Sequence, residues 1–204
     1  SALLELDCSN NVLTTLNTKN AKHLVMLVCY QNKLTTLDVS TNKVLRLLYC
    51  YDNVISTLKL AVNGEINYLS CASNKLKELN VSNLHYIREI TCNNNELTKF
   101  TATNNLSLTH IDCSKNKITE INIASNQKLR KLEIFGNKIT LAQMEKLAND
   151  LPKISDPSKD ERILTLNQIM GEKNKYSKGI IDRIYDKGWK IKTNSSNFFV
   201  LVPA

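Results

Sequence analysis

The chain has 204 residues, 42% of them hydrophobic and 23% charged, a composition that supports an apolar interior and excludes wholesale disorder. No window holds the unbroken run of about 18 apolar residues that a membrane helix needs, so no membrane span is expected. The net charge of +8 is uneven: residues 1–126 carry 12 basic and 10 acidic side chains and residues 127–204 carry 15 and 9, which places the basicity in the C-terminal third.

The six cysteines are Cys8, Cys29, Cys50, Cys71, Cys92 and Cys113, five intervals of 21 residues each. A constant interval gives every cysteine the same place in a repeated unit. In that register Leu3, Leu6, Cys8, Asn11, Leu13 and Leu16 recur as Leu24, Leu27, Cys29, Asn32, Leu34 and Leu37. The recurrence continues to Leu129, Leu132, Ile134, Asn137 and Ile139, where isoleucine replaces cysteine. The pattern L-x-x-L-x-C-x-x-N-x-L resembles the leucine-rich repeat, in seven copies over residues 1–139. The resemblance implies an α/β leucine-rich-repeat solenoid with a seven-rung parallel sheet on its concave face.

Each position has a mechanical reason. The apolar residue and the cysteine in L-x-C are two apart and share one face of a short strand, while their neighbours face water. The asparagine follows where the chain leaves the strand, and its amide can satisfy backbone groups that the turn leaves unpaired. Asparagine recurs on the return path as Asn42, Asn63, Asn105 and Asn126. About ten residues remain for that path, too few for an average helix of about 11–12 residues plus two turns, so the convex side is expected to be extended rather than helical.

Metal spacing such as C-x-x-C is absent, and His23, His85 and His110 share no column with a cysteine, so no metal site or cofactor is expected. The cysteines read as small buried side chains. Rung spacing of ~4.8 Å permits neighbouring disulfides by distance, but parallel side-chain directions oppose them, and the thiols are expected to be free.

Function in such a coil rests with the strand residues that face outward. Repeats two to four place Met26, Val28, Tyr30, Leu47, Tyr49, Tyr51 and Tyr68 side by side, with Asp52 and Ser70 beside them, four of the chain's seven tyrosines in one patch. Tyrosine offers large apolar area, a polar tip and little entropy to lose, so this is the candidate binding site. Cross-strand tyrosine packing is the structural alternative. The rim holds Glu5, Asp7 and Asp52, which disfavours nucleic acid. His110, Asp112, Glu89 and Lys131 gather titratable groups on the same face without a nucleophile and read as a solvated charge network. The outward columns close with Lys131, Glu133 and Phe135.

After Asn137 the period ends. Thr140 with Gln143 three positions later reads as a capping box for a helix carrying Leu141, Met144, Leu147 and Leu151, stopped by Pro152. A polar loop, Asp156 to Asp160, leads to a strand from Ile163 to Leu166. Ser177 caps a second helix carrying Ile180, Ile181, Ile184 and Tyr185, with Gly188 as its C-cap. Strands are expected at Trp189–Lys192 and Phe198–Leu201. Residues 140–204 thus form a small α+β segment covering the last rung. Its lysines, including Lys173, Lys175 and Lys178, read as solubilising charge.

The form seen from Leu24 to Asn42, L-x-x-L-x-C-x-x-N-x-L-T-x-L-D-V-S-x-N, is similar to the cysteine-type repeats of bacterial secreted or surface proteins with internalin-like organisation. The helix–strand–helix ending with Gly188 and Trp189 is similar to the tail such proteins carry. The resemblance implies a non-enzymatic recognition or adhesion module, extracellular or on the outer surface, with a protein or peptide partner. A carbohydrate stacked on the same tyrosines, with Asp52, Ser70 and Ser73 as polar contacts, is the alternative.

Overall fold

The computed structural model describes residues 2–155, 160–167 and 174–193. The expected strand at Phe198–Leu201, the loop residues 156–159 and Lys173 lie outside them. In chain order the strands of the repeats are β1 (Glu5–Asp7), β2 (Met26–Val28), β3 (Thr36–Asp38), β4 (Leu47–Tyr49), β5 (Thr57–Lys59) and β6 (Tyr68–Ser70). They continue with β7 (Glu78–Asn80), β8 (Glu89–Thr91), β9 (Lys99–Thr101), β10 (His110–Asp112), β11 (Glu120–Asn122) and β12 (Lys131–Glu133). Helix α1 (Leu141–Asp150), β13 (Ile163–Asn167), α2 (Lys178–Asp186) and β14 (Lys190–Thr193) complete the described elements.

One strand from each repeat stacks in parallel and in register, Leu27 on Leu48 on Leu69 on Ile90 on Ile111 on Leu132. β13 and β14 extend this sheet to nine strands, ordered β1-β2-β4-β6-β8-β10-β12-β13-β14. The return path is extended, as its length requires, and carries two smaller parallel sheets, β3-β5 and β7-β9-β11. Between the two sides lies one continuous core in which Leu24, Leu45, Cys50, Ile90, Phe100, Cys113 and Leu132 are fully buried.

A coil one rung thick has no second layer to satisfy its turns, and the asparagine column does this work. Asn95 Nδ2 donates to the carbonyls of Cys71 in the preceding rung at 3.0 Å and Cys92 in its own at 3.1 Å. Its Oδ1 accepts the Leu76 N–H at 3.0 Å. Asn32, Asn53, Asn74 and Asn116 repeat this pattern. The ladder runs past the periodic sequence: Asn137 serves Cys113 and Ile118, and Asn174 Oδ1 accepts the Ile139 N–H at 3.0 Å while its Nδ2 donates to Ile134 O at 2.9 Å. The C-terminal segment thus supplies an eighth rung asparagine 37 positions after Asn137, which a 21-residue period does not reveal.

The column two residues beyond each cysteine is left-handed: Asn10, Gln31, Asp52, Ser73, Asn94 and Lys115 have φ between 51° and 55°, and Gly136 ends the series at 68°. Residues with a Cβ seldom adopt this conformation. Here it aims successive N–H groups at the next rung, as in Gln31 N–H to Tyr51 O at 3.1 Å. At Gly136 an added Cβ would stand 3.3 Å from the Lys115 backbone.

Four expectations are corrected. Asn63 does not join the return-path asparagines: it is exposed with φ +54°, whereas Asn42, Asn105 and Asn126 are buried. In repeat three the chain slips, Ala61 is buried where neighbouring repeats bury Val39 and Val81, and the return-path sheet breaks between β5 and β7. Leu141 is 49% exposed because a helical side chain tilts toward the N-terminus, so at the first position it points back past the packing. Tyr185, one residue beyond the buried Ile184, is 38% exposed. Phe135 is buried at 5% exposure rather than displayed, at the level where β13 joins β12.

The caps expected in the C-terminal segment are found. Thr140 Oγ1 accepts the Gln143 N–H at 3.3 Å, Ser177 Oγ accepts the Ile180 N–H at 3.4 Å, and Gly188 is left-handed at φ +84°. Arg162 lies 6.0 Å from the Trp189 ring centroid, and the indole N–H donates to Pro152 O at 2.8 Å.

All six cysteines are free, and all but Cys8 are buried; Cys8 is half-buried because the first rung has a neighbour on one side only among the described residues. Burial pushes the Cys29 and Cys71 thiols from 9.0 up to about 12, and raises Cys50, Cys92 and Cys113 well above the ordinary 9.0. A folded pKa above the unfolded one means that stability is complete below pH 9 and is lost as pH rises through the window toward 12. A thiol that ionises only on unfolding costs stability as pH rises above its unfolded pKa, by about 1.4 kcal/mol per pH unit. Urea titrations at pH 7, 8, 9 and 10 are expected to show stability falling between pH 9 and 10, less steeply in Cys92→Ala; a flat profile would refute the buried column. Asn95→Ala is expected to cost at least about 2 kcal/mol, since each buried group left unpaired costs about 1–3 kcal/mol. A urea midpoint unchanged at constant m-value would show that the ladder carries no stability.

Candidate partner-binding face

Strand alternation builds the candidate face from the solenoid register. The central residue of each strand points into the core, and its two neighbours point out. Parallel pairing then sets equivalent residues one rung apart, ~4.8 Å. The first outward column reads Glu5, Met26, Leu47, Tyr68, Glu89, His110, Lys131, and the second Asp7, Val28, Tyr49, Ser70, Thr91, Asp112, Glu133. A third column stands beyond the strands, one residue past the cysteine, and includes Tyr30 and Tyr51.

The structure brings the expected residues together on adjacent rungs. Met26, Val28, Tyr30, Leu47, Tyr49, Tyr51, Tyr68 and Ser70 are all half-buried, and Asp52 is exposed at the edge in the left-handed turn. Tyr30 and Tyr51 stack with ring centroids 4.5 Å apart and planes 7° from parallel. Desolvation raises the Tyr51 phenol above its ordinary value, with Tyr30 adding to the effect. Ser70 Oγ accepts from Thr91 Oγ1 at 2.8 Å and borders the patch with a polar pair. The tyrosines therefore act on one another as well as facing solvent.

Beyond the patch the repeat strands carry carboxylates, and β14 carries Lys190 and Lys192. Asp7 Oδ1 accepts the Ser9 N–H and hydroxyl at 2.9 and 2.7 Å, and these bonds hold its carboxyl below the ordinary value. Asp112 makes the same two bonds with Ser114, yet burial overrides them and, with the like charge of Glu133, raises its pKa. His110 Nδ1 lies 3.9 Å from Glu89 Oε1 and 2.9 Å from Thr109 Oγ1, and Lys131 contacts Glu133. These groups are spread over an open sheet. Among the described residues no cluster of three or more His, Cys, Asp or Glu is arranged to hold a metal ion, and no helix is long and apolar enough to cross a membrane.

Stacking beyond simple burial contributes about 0.5–1.5 kcal/mol to an aromatic pair. Tyr51→Ala is therefore expected to lower stability by about 1 kcal/mol and Tyr49→Ala by less, read as the difference between their thermal or urea midpoints. Equal losses would show that the stacked pair has no special structural share.

No protein-family model and no curated protein matches the sequence. Among solved structures the chain is similar to YopM, a leucine-rich effector protein from Yersinia pestis, at 22% identity and TM-score 0.62, over 84% of this chain and 49% of that one. It is also similar to the functional domain of InlJ from Listeria monocytogenes, which includes a cysteine ladder, at 24% identity and TM-score 0.49, over 83% of this chain and 47% of that one. A third is the internalin InlF from Listeria monocytogenes, at 16% identity and TM-score 0.26, over 88% and 76%. The chain spans about half the length of YopM and of the InlJ domain. With the 21-residue rungs and the asparagine ladder, the likeness to YopM shows the fold: the chain is a leucine-rich-repeat solenoid.

Proposed function

We propose that this protein is a non-enzymatic recognition module that holds a protein or peptide segment on the nine-stranded sheet through Met26, Val28, Tyr30, Leu47, Tyr49, Tyr51 and Tyr68. The observation that carries the reading is the contiguity of these half-buried, solvent-facing side chains on three adjacent rungs. A patch of aromatic and aliphatic groups on a rigid sheet gains binding energy from desolvation and loses little side-chain entropy. The rings of Tyr30 and Tyr51 are already ordered by their stacking, which lowers that cost further. An open sheet that encloses no reacting centre favours binding over catalysis. The internalin-like repeat form supports a bacterial protein acting outside the cell, on the surface or secreted, in adhesion.

Carbohydrate binding would use the same rings as platforms. Tyr30 and Tyr51 turn one face each toward the other, leaving one face of each for a sugar, which favours the peptide reading. The test is selection from a phage-displayed random dodecapeptide library beside a glycan array. Peptides binding at micromolar Kd, weakened at least ~10-fold by Tyr49→Ala and by Leu47→Ala, are the expected result. Enrichment confined to the glycan array and lost in Tyr49→Ala would replace the peptide by a sugar. Peptide binding indifferent to both substitutions would move the site elsewhere.

A further inference from the structure

The chain carries a net charge of +8, yet carboxylates stand on both sides of the tyrosines in their own columns. In the first two outward columns five carboxylates, Glu5, Asp7, Glu89, Asp112 and Glu133, stand on the repeat strands with the ammonium of Lys131, which contacts Glu133, while Lys190 and Lys192 end the same columns on β14, five strands beyond the last tyrosine strand. At the turn edge Asp52 adds a further carboxylate beside the patch, and Lys115 occupies the equivalent position three rungs on. Of the arginines just before the strands, Arg46 is paired with Glu65 at 3.1 Å, Arg130 and Arg162 share Asp160 at 3.4 and 2.9 Å, and Arg88 stands beside Glu89.

The carboxylates are also placed in order. Glu5 and Asp7 lie on the first rung, the apolar side chains on the second to fourth, and Glu89 on the fifth, in the same column as Met26, Leu47 and Tyr68. Four rung spacings of ~4.8 Å separate Glu5 from Glu89, ~19 Å, the length of about six extended residues at ~3.3 Å each. From this arrangement, and resting on the reading of the tyrosine face as a binding site, we infer that the partner segment is basic. It carries Lys or Arg at both ends of an apolar stretch of about six extended residues and runs across the strands. Apolar groups settle on the tyrosines, and the cationic ends meet Glu5 with Asp7 on one side and Glu89 on the other. Complementary charge speeds encounter, fixes register and rejects acidic segments.

The test uses three fluorescein-labelled octapeptides measured by anisotropy. One has a Leu-Trp-Leu-Trp-Leu-Trp centre flanked by one Lys or Arg at each end, the second has the same centre flanked by Asp and Glu, and the third keeps the basic ends around a Ser-Gly centre of the same length. The basic apolar peptide is expected to bind at least ~10-fold tighter than either other peptide. Its lead over the acidic one should shrink between 50 and 500 mM salt as the charges are screened. Glu5→Lys with Glu89→Lys, both exposed side chains, should invert the preference, with circular dichroism confirming the fold, and Tyr49→Ala should weaken the basic peptide.

Equal affinity for basic and acidic peptides, both lost in Tyr49→Ala, would overturn the basic partner and leave the tyrosine face standing. Binding of the basic peptide that resists Tyr49→Ala but fails on charge reversal would overturn both. No binding by any of the three would overturn the basic segment alone, since the random-peptide selection judges the tyrosine face independently.

Discussion

The side-chain amide of one asparagine per turn holds the solenoid together. Each rung is a single closed path of 21 residues around a narrow apolar core, so the carbonyls and N–H groups of its turns point inward with no water and no second layer of backbone to meet them. Buried backbone groups must be paired, and an amide that both donates and accepts can serve two rungs at once. Asn95 does so for Cys71, Cys92 and Leu76, and its counterparts repeat the pattern up to Asn174. Apolar burial compacts the coil; the amides hold its successive turns in a common register.

Register in turn makes the candidate face. Since every rung is translated by one strand spacing, a side chain in one repeat meets its equivalent in the next, and a surface can be composed column by column. Tyr30 meets Tyr51, Met26 meets Leu47 and then Tyr68, and the carboxylates flank them. The same translation stacks the thiols in a column of desolvated, protonated groups. Asp7 and Asp112, in the same column and each bonded by the serine two residues on, shift in opposite directions, because one is exposed and the other is enclosed.

Much of this was legible in the chain. The cysteine interval, the apolar columns, the Thr140 and Ser177 caps and the extended return path follow from spacing and side-chain type. The candidate patch was legible as a set of residues, because alternation about a buried leucine determines which neighbours face out. Other features were hidden by context. Repeat three reads as regular, but its Leu-Ala-Val-Asn-Gly return path slips and leaves Asn63 outside. Phe135 belongs by register to the outward columns and is buried nevertheless.

The sequence by itself determined the period, the inward columns and the order of residues along each outward column, because a translational repeat needs only local alternation and a constant interval. Tertiary structure decided the rest. It recruited β13, β14 and Asn174 into the ladder across an irregular segment, since the last rung's exposed amides and apolar end must be satisfied by whatever chain can reach them. It brought Tyr30 and Tyr51 face to face, since ring orientation depends on the turn geometry beyond each cysteine. It also set carboxylates on both sides of the tyrosines in a basic chain, because charge at a surface is fixed by which residues meet in space, and total composition carries no record of that.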